Sequence, residues 1–108
     1  MSDLDMICEY AIAFLLNGRG GAKQLAVDLA QQEPQRPALE LVFVLSIAAS
    51  SIEEVFASPQ PAGVAADAWR IAALIGVELH MMQSQGLPYD SCAALLNYWR
   101  TVDGYFLS

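Results

Sequence analysis

Hydrophobic residues recur along the chain at the three- and four-residue spacing of an α-helix, and no stretch alternates cleanly between apolar and polar residues as a half-buried strand does. Glycine and proline interrupt this pattern at residues 18–21, 34–37, 59–63 and 86–88. Four interruptions leave five segments rich in alanine and leucine, which favour helix. We predict helices over about residues 3–17, 21–32, 37–57, 62–85 and 89–101.

Residues with strong preferences for helix ends support these boundaries. Ser2 is the predicted N-cap of the first helix, and Gly18 is the predicted left-handed residue that follows it. Pro37 and Pro88 are predicted at the first positions of the third and fifth helices, where the missing N–H of proline removes no hydrogen bond.

The apolar positions also predict how the helices pack. The third segment is apolar in all directions, which is typical of a central helix covered on every side. The predicted core face of the fourth helix comprises Val64, Ala68, Ile71, Ala72, Ile75, Leu79 and Met82. The predicted buried stripe of the fifth comprises Cys92, Leu95, Leu96, Trp99 and Val102, and residues 105–107 are expected to fold back as an apolar tail. The predicted fold is all-α: one domain over residues 1–108, a compact bundle of about five helices with short loops around a central apolar helix near 37–57.

The fourth helix carries a second apolar strip, formed by Leu74, Val77 and Met81 on its outer side. The central helix needs the remaining helices as its cover, so this strip has no partner left within the chain. A helix with two apolar strips usually packs against two neighbours, and a second copy related by a two-fold axis supplies one. The alternative is a fourth helix enclosed on both sides within the monomer.

Composition and charge exclude several classes of protein. The 108 residues suffice for one domain, and a content of 56% hydrophobic against 16% charged residues excludes a disordered chain. The net charge of −7 argues against nucleic-acid binding, which requires cations that displace counterions, and against docking on anionic membrane surfaces.

Several features of the sequence point to a cytoplasmic protein. Cys8 and Cys92 are too few for a disulfide-stabilised secreted domain, and we expect two separate buried thiols. The acidic start of the chain lacks the basic region of a signal peptide. The longest apolar stretch, residues 41–52, is too short to span a bilayer.

The candidate chemistry is sparse. Glu9, Glu40 and Glu78 lie on three predicted helices and could form a carboxylate metal site or an acid–base pair, with His80 as the single histidine. The spacing of Glu78 and His80 places their side chains on different sides of one helix. We therefore favour a surface role for His80 and a structural ion pair for one of the carboxylates, with Arg70 or Arg100 as its partner.

The stretch Gly18-Arg19-Gly20-Gly21-Ala22-Lys23 opens a helix with two nearby cations and could bind an anion, although it lacks the spacing of a phosphate-binding loop. We favour a simple interhelical turn. No catalytic triad is recognisable.

These observations favour a non-enzymatic protein, a small acidic cytoplasmic interaction or regulatory module that acts as a homodimer, with Leu74, Val77 and Met81 as its interaction surface. We expect no catalytic residue, metal or cofactor. Its partners are expected to be a second copy and another protein, not nucleic acid or a membrane. The alternative is a helical protein that uses interior carboxylates to bind a metal or small ligand or to act as an enzyme.

Overall fold

The computed structural model describes residues 3–18, 20–55 and 62–108 of the chain. These residues form five α-helices and no strand, which confirms the predicted all-α fold. The helices are α1 (Asp3–Leu16), α2 (Ala22–Gln32), α3 (Leu39–Val55), α4 (Ala62–Ser84) and α5 (Cys92–Thr101).

Glycine ends α1 as its backbone chemistry predicts. Gly18 has a φ of 68°, in the left-handed region that side-chain-bearing residues rarely adopt. The predicted N-cap Ser2 lies outside the described residues.

The two proline predictions are wrong, because α3 begins at Leu39 and α5 begins at Cys92. The loops that contain Pro37 and Pro88 bond to each other instead of starting helices. Ala38 N donates to Asp90 O at 3.2 Å, and Cys92 N donates to Arg36 O at 2.8 Å. Ser91 is the N-cap of α5, and its hydroxyl accepts a hydrogen bond from Ala94 N at 3.1 Å. The loop before α3 thus supplies carbonyls to the free N–H groups at the start of α5.

The core lies where the helical spacing places it. In α4 the predicted residues Ala68, Ile71, Ile75 and Met82 are fully buried, and Trp99 of α5 joins them. Helix α3 packs against α1, α2 and α4, and α5 packs against α2. Helix α3 has its most extensive contacts with α4 and α1.

The complete cover predicted for α3 is wrong. Leu39, Phe43 and Ile47 form a stripe at every fourth residue, and each is more than 40% exposed. The other helices cover only the inner side and the flanks of α3, so its outer side has no neighbour among the described residues.

The residues after α5 fold back onto the bundle in part. Phe106 is buried as predicted, whereas Tyr105 and Leu107 remain about 40% exposed. Val102, predicted in the buried stripe of α5, is exposed because the helix ends at Thr101. Within the described ranges, no helix has the combination of length and hydropathy that crossing a bilayer requires.

Candidate functional site

Helix α4 carries a ridge of exposed, mostly apolar residues along its outer side. Trp69, Ala73, Val77 and Met81 follow one another at every fourth position, and all four are exposed, Val77 by 59% of its surface. Residues four apart on an α-helix lie nearly above one another, so they form a continuous ridge.

Helix α3 contributes a parallel feature, the stripe of Leu39, Phe43 and Ile47. The two helices run antiparallel: Trp69, near the start of α4, donates a hydrogen bond from Nε1 to Glu53 Oε1, near the end of α3, at 3.1 Å. At the opposite end, Leu39 lines one groove together with Gly76 and His80. We call the two ridges together the α3–α4 face.

The groove at the Leu39 end of this face has a volume of about 400 Å³ and a mostly apolar lining, and the loop before α5 closes one side of it. Its lining residues are Leu39, Gly76, Leu79, His80, Gln83, Tyr89 and Asp90. Gly76 leaves room in it, because a Cβ added at this position would meet no atom within 4 Å.

Charged groups border the α3–α4 face at its two ends. Glu53 and Glu54 are exposed near the end of α3, and the carboxylate of Glu53 is held by the indole of Trp69. The carboxylate of Asp90 is exposed near the other end, where it lines the groove together with Leu39 and the imidazole of His80. The middle of the face, at Phe43 and Ala73, carries no charge.

The residues predicted as the interaction surface fall in two environments. Val77 and Met81 are exposed and belong to the α4 ridge. Leu74 is half-buried and packs against the hydrophobic core, because it lies on the flank of α4 rather than on its outermost line. Sequence reasoning missed the α3 stripe because it assigned all of α3 to the core.

The carboxylates proposed for a metal or acid–base site do not meet. Glu9 is exposed on α1, and Glu40 binds the guanidinium of Arg36 at 2.5 Å. Glu78 is buried on the far side of α4 from His80. Among the described residues, no group of three or more His, Cys, Asp or Glu side chains is placed to hold a metal ion.

Arg36 is the cation that sequence reasoning overlooked. It bridges Asp3 of α1, Glu33 of the loop after α2 and Glu40 of α3, and its side chain is only 11% exposed. The expected partners Arg70 and Arg100 do not pair with Glu40: Arg70 binds Asp67 at 2.9 Å instead. The prediction of a structural ion pair holds, but its partner was wrong.

Glu78 is the one buried charged residue among those described, with 8% of its surface exposed. Trp99 Nε1 donates a hydrogen bond of 2.7 Å to Glu78 Oε1, and the carboxyls of Glu78 and Asp103 are also hydrogen-bonded. Burial raises the pKa of Glu78 to about 8; the bond to Asp103 acts in the same direction, while the bond from Trp99 lowers the pKa. The same bond from Glu78 lowers the pKa of Asp103. At neutral pH, therefore, Glu78 keeps its proton, and its carboxylic O–H donates a hydrogen bond to the Asp103 carboxylate.

The glycine-rich turn before α2 already has an anionic group of the chain itself at its helix start. Asp67 Oδ2 of α4 accepts a hydrogen bond from Ala22 N at 3.2 Å. An aspartate thus takes the place that we considered for a bound anion. Arg19, one of the two cations of that hypothesis, lies outside the described residues.

Both cysteines are free and buried, as predicted. Burial raises the pKa of the Cys8 thiol, and it raises the pKa of Cys92 to about 11. Neither thiol is therefore an activated nucleophile at neutral pH.

The geometry defines an all-α bundle whose distinctive surface is an exposed apolar helix face. The chain matches no protein-family model, and comparisons with curated proteins and with solved structures found no match.

Proposed function

We propose that the protein is a non-enzymatic association module that binds a second copy of itself through the α3–α4 face. The observation that carries this proposal is the pair of exposed ridges on adjacent helices, with Phe43 on α3 and Val77 on α4 among their most prominent members. Ridges of residues four apart are also the commonest elements by which helices of globular proteins interlock.

The size of the face suits an interface. Its exposed side chains present on the order of 500 Å² of largely apolar surface. The largest apolar patch on an ordinary monomer covers ~300–600 Å² and is often functional, so the face has the size of such a patch. A standard interface buries about 800 Å² on each partner. Somewhat more than half of that area, ~56–58%, is apolar. The face therefore provides about as much apolar surface as one partner contributes to a standard interface.

The uncharged middle of the face favours a second copy as the occupant. Two copies placed antiparallel about a two-fold axis bring the His80 end of one face over the Glu53 and Glu54 end of the other. The uncharged middle, around Phe43 and Ala73, then meets its own equivalent. This arrangement keeps Glu53 and Glu54 of one copy away from Glu53 and Glu54 of the other, and the carboxylate they approach instead is that of Asp90, beside His80.

Two further observations support the non-enzymatic, cytoplasmic part of the proposal. The described acidic residues and His80 are dispersed among structural partners and the surface, rather than gathered around a reacting centre. The free thiols of Cys8 and Cys92 suit a reducing compartment such as the cytoplasm.

Sedimentation velocity over a concentration series from micromolar to high micromolar tests the proposal. We expect a monomer–dimer equilibrium in the parent chain. Val77→Lys and Phe43→Lys should each weaken dimerisation by about 30-fold or more, equivalent to the ~2 kcal/mol of an interface hot spot, because an ammonium would be buried without a partner.

Met6→Lys is the matched control, since Met6 is also 59% exposed but lies on α1, outside the α3–α4 face. It should dimerise like the parent, and circular dichroism should report the same helix content in all variants. A parent chain that stays monomeric at the highest concentration refutes self-association. Equal weakening by Met6→Lys would show that the α3–α4 face is not the interface.

A further inference from the structure

The residues that follow α5 are held against the bundle by a compact set of contacts. The ring of Phe106 stacks on Trp99 with centroids 4.3 Å apart and an angle of 17° between the planes. Asp103 N donates to Tyr98 O, and Asp103 Oδ1 accepts from Tyr105 N at 3.1 Å. Asp103 thus organises the turn that brings Phe106 over the indole.

The N–H edge of the same indole is hydrogen-bonded to Glu78. Trp99 Nε1 donates to Glu78 Oε1, and Glu78 is in turn hydrogen-bonded to Asp103. Two carboxyl groups can share a hydrogen bond only while one of them is protonated. If both were ionised, two negative charges would face each other beside a buried ring system.

We propose that the 103–108 segment is a proton-controlled latch, closed while Glu78 is protonated and released when Glu78 loses its proton. The latch consists of Glu78, Trp99, Asp103 and Phe106. When Glu78 is ionised, its repulsion of Asp103 opens the turn at residues 103–105, and Phe106 leaves the face of Trp99. This inference goes beyond the proposed association and does not rest on it.

The proton belongs to Glu78 rather than to Asp103 at neutral pH. Burial and the Asp103 carboxylate raise the pKa of Glu78 to about 8, whereas Asp103, on the more exposed side, has a lowered pKa. The closed latch is therefore favoured at low pH and is progressively destabilised as the pH rises towards 8.

The other titratable and charged groups near the segment contact it away from Glu78. The Lys23 ammonium of α2 lies 4.4 Å from the Tyr105 ring centroid, and Arg70 Nη1 of α4 donates to the Tyr105 hydroxyl at 3.2 Å. These cations do not neutralise Glu78. Exposed contacts of this kind contribute little, so they do not hold the segment once Phe106 has moved.

Opening the latch changes the surface of the molecule. Phe106, Leu107 and Ser108 form one wall of a cavity of about 530 Å³, and residues of α2, including Lys23 and Val27, form the other. Release of the segment removes that wall and uncovers Trp99, which is otherwise 1% exposed. The protein would then present a second apolar surface, remote from the α3–α4 face.

Hydrogen exchange monitored by mass spectrometry on the unaltered chain tests the latch between pH 6 and 9.5. After correction for intrinsic base catalysis, exchange of the 103–108 segment should rise by up to about tenfold per pH unit as the pH approaches 8 and should level off above it, while α3 stays protected. In a Trp69→Phe background, Trp99 is the sole tryptophan, and its fluorescence should become accessible to acrylamide over the same pH range.

Glu78→Gln is the matched variant, because an amide can donate to Asp103 and accept from Trp99 as the protonated acid does. We expect it to remove the pH dependence and keep the segment closed. Asp103→Asn is the second variant, since its amide can donate to an ionised Glu78, and it should also stay closed.

A segment that stays protected to pH 9.5 would overturn the proposal, and so would a transition that persists unchanged in Glu78→Gln. Loss of far-UV circular dichroism together with the fluorescence change would also overturn it, because the event would then be unfolding of the whole chain rather than local release.

Discussion

Replacing Glu78 by glutamine should change how the stability of the whole protein depends on pH. The folded protein holds the pKa of Glu78 at about 8, against an ordinary value of 4.5. Between these values the folded state keeps a proton that the unfolded state has lost, so the free energy of unfolding falls as pH rises. Below pH 4.5 both states are protonated, and this contribution to stability is fully present.

The size of the effect follows from the same two pKa values. Each pH unit between them removes about 1.4 kcal/mol of unfolding free energy, so the loss reaches at most about 5 kcal/mol once Glu78 has ionised. Domains of this size are stable by only ~5–15 kcal/mol, so even half of that loss is large. Asp103 acts in the opposite sense at lower pH, because its pKa is lowered and its contribution is lost on acidification.

Urea unfolding followed by circular dichroism at pH 5, 6, 7 and 8 measures this difference. Parent and Glu78→Gln should have similar stability at pH 5, and the variant should gain about 1.4 kcal/mol on the parent with each further pH unit. Glu54→Gln is the control, since it removes one carboxylate at an exposed position and should follow the parent. A parent whose stability is constant or rises from pH 5 to 8, or a variant with the parent's slope, would refute the buried neutral acid.

Two further substitutions test local features of the fold. Gly76→Ala should stabilise the protein by about 1 kcal/mol and raise Tm by about 4–8 °C, because Gly76 lies inside α4 with open space at its Cβ position. Gly86→Ala should instead destabilise it by about 1–2 kcal/mol, because Gly86 has a φ of +74°. Calorimetry that shows the same sign of change for both substitutions would contradict this backbone argument. Asp67→Ala should lower the free energy of unfolding in urea by about 0.5–2 kcal/mol, because Asp67 accepts a hydrogen bond from the otherwise free Ala22 N–H at the start of α2. An unchanged urea midpoint would mean that this hydrogen bond contributes nothing to stability.

Helical periodicity predicted the elements and most of the core because both depend on short-range spacing. The buried positions of α4, for example Ile71 and Ile75, agree with the predicted core face of that helix. The starts of α3 and α5 were missed because the amide groups there bond across the fold. Cys92 N reaches the carbonyl of Arg36, 56 positions earlier in the chain, and local proline preferences contain no information about such a partner.

The candidate site was predictable in part for the same reason. The spacing of Val77 and Met81 identified an apolar strip on the outer side of α4, because one helix face is a local property. The matching stripe on α3 depends on which side of that helix the bundle leaves open. A helix that is apolar all round contains no signal for this choice, since Phe43 and Val44 are equally suited to a core.

Glu78 illustrates the same limit for buried polar groups. The sequence places it at the border of the core face of α4, but its role is set by Trp99 and Asp103, which lie 21 and more residues further along the chain. A buried carboxyl whose partners are an indole N–H and a second carboxylate keeps its proton and has a structural role. A carboxyl beside other metal ligands would instead have a catalytic or binding role. Spacing within one helix does not distinguish the two.

The proposed association and the proposed latch can be tested separately because they use different sides of α4. Val77 and Glu78 are neighbours in the chain, yet their side chains diverge by about 100° around the helix axis, one to the α3–α4 face and the other to α5. Val77→Lys should therefore weaken dimerisation while the 103–108 segment keeps its pH-dependent exchange. Glu78→Gln should remove that pH dependence in a chain that still dimerises. If either substitution altered both dimerisation and the pH dependence of exchange, the two sides of α4 would be coupled. The packing of Phe106 on Trp99 would then depend on contacts made by the second copy.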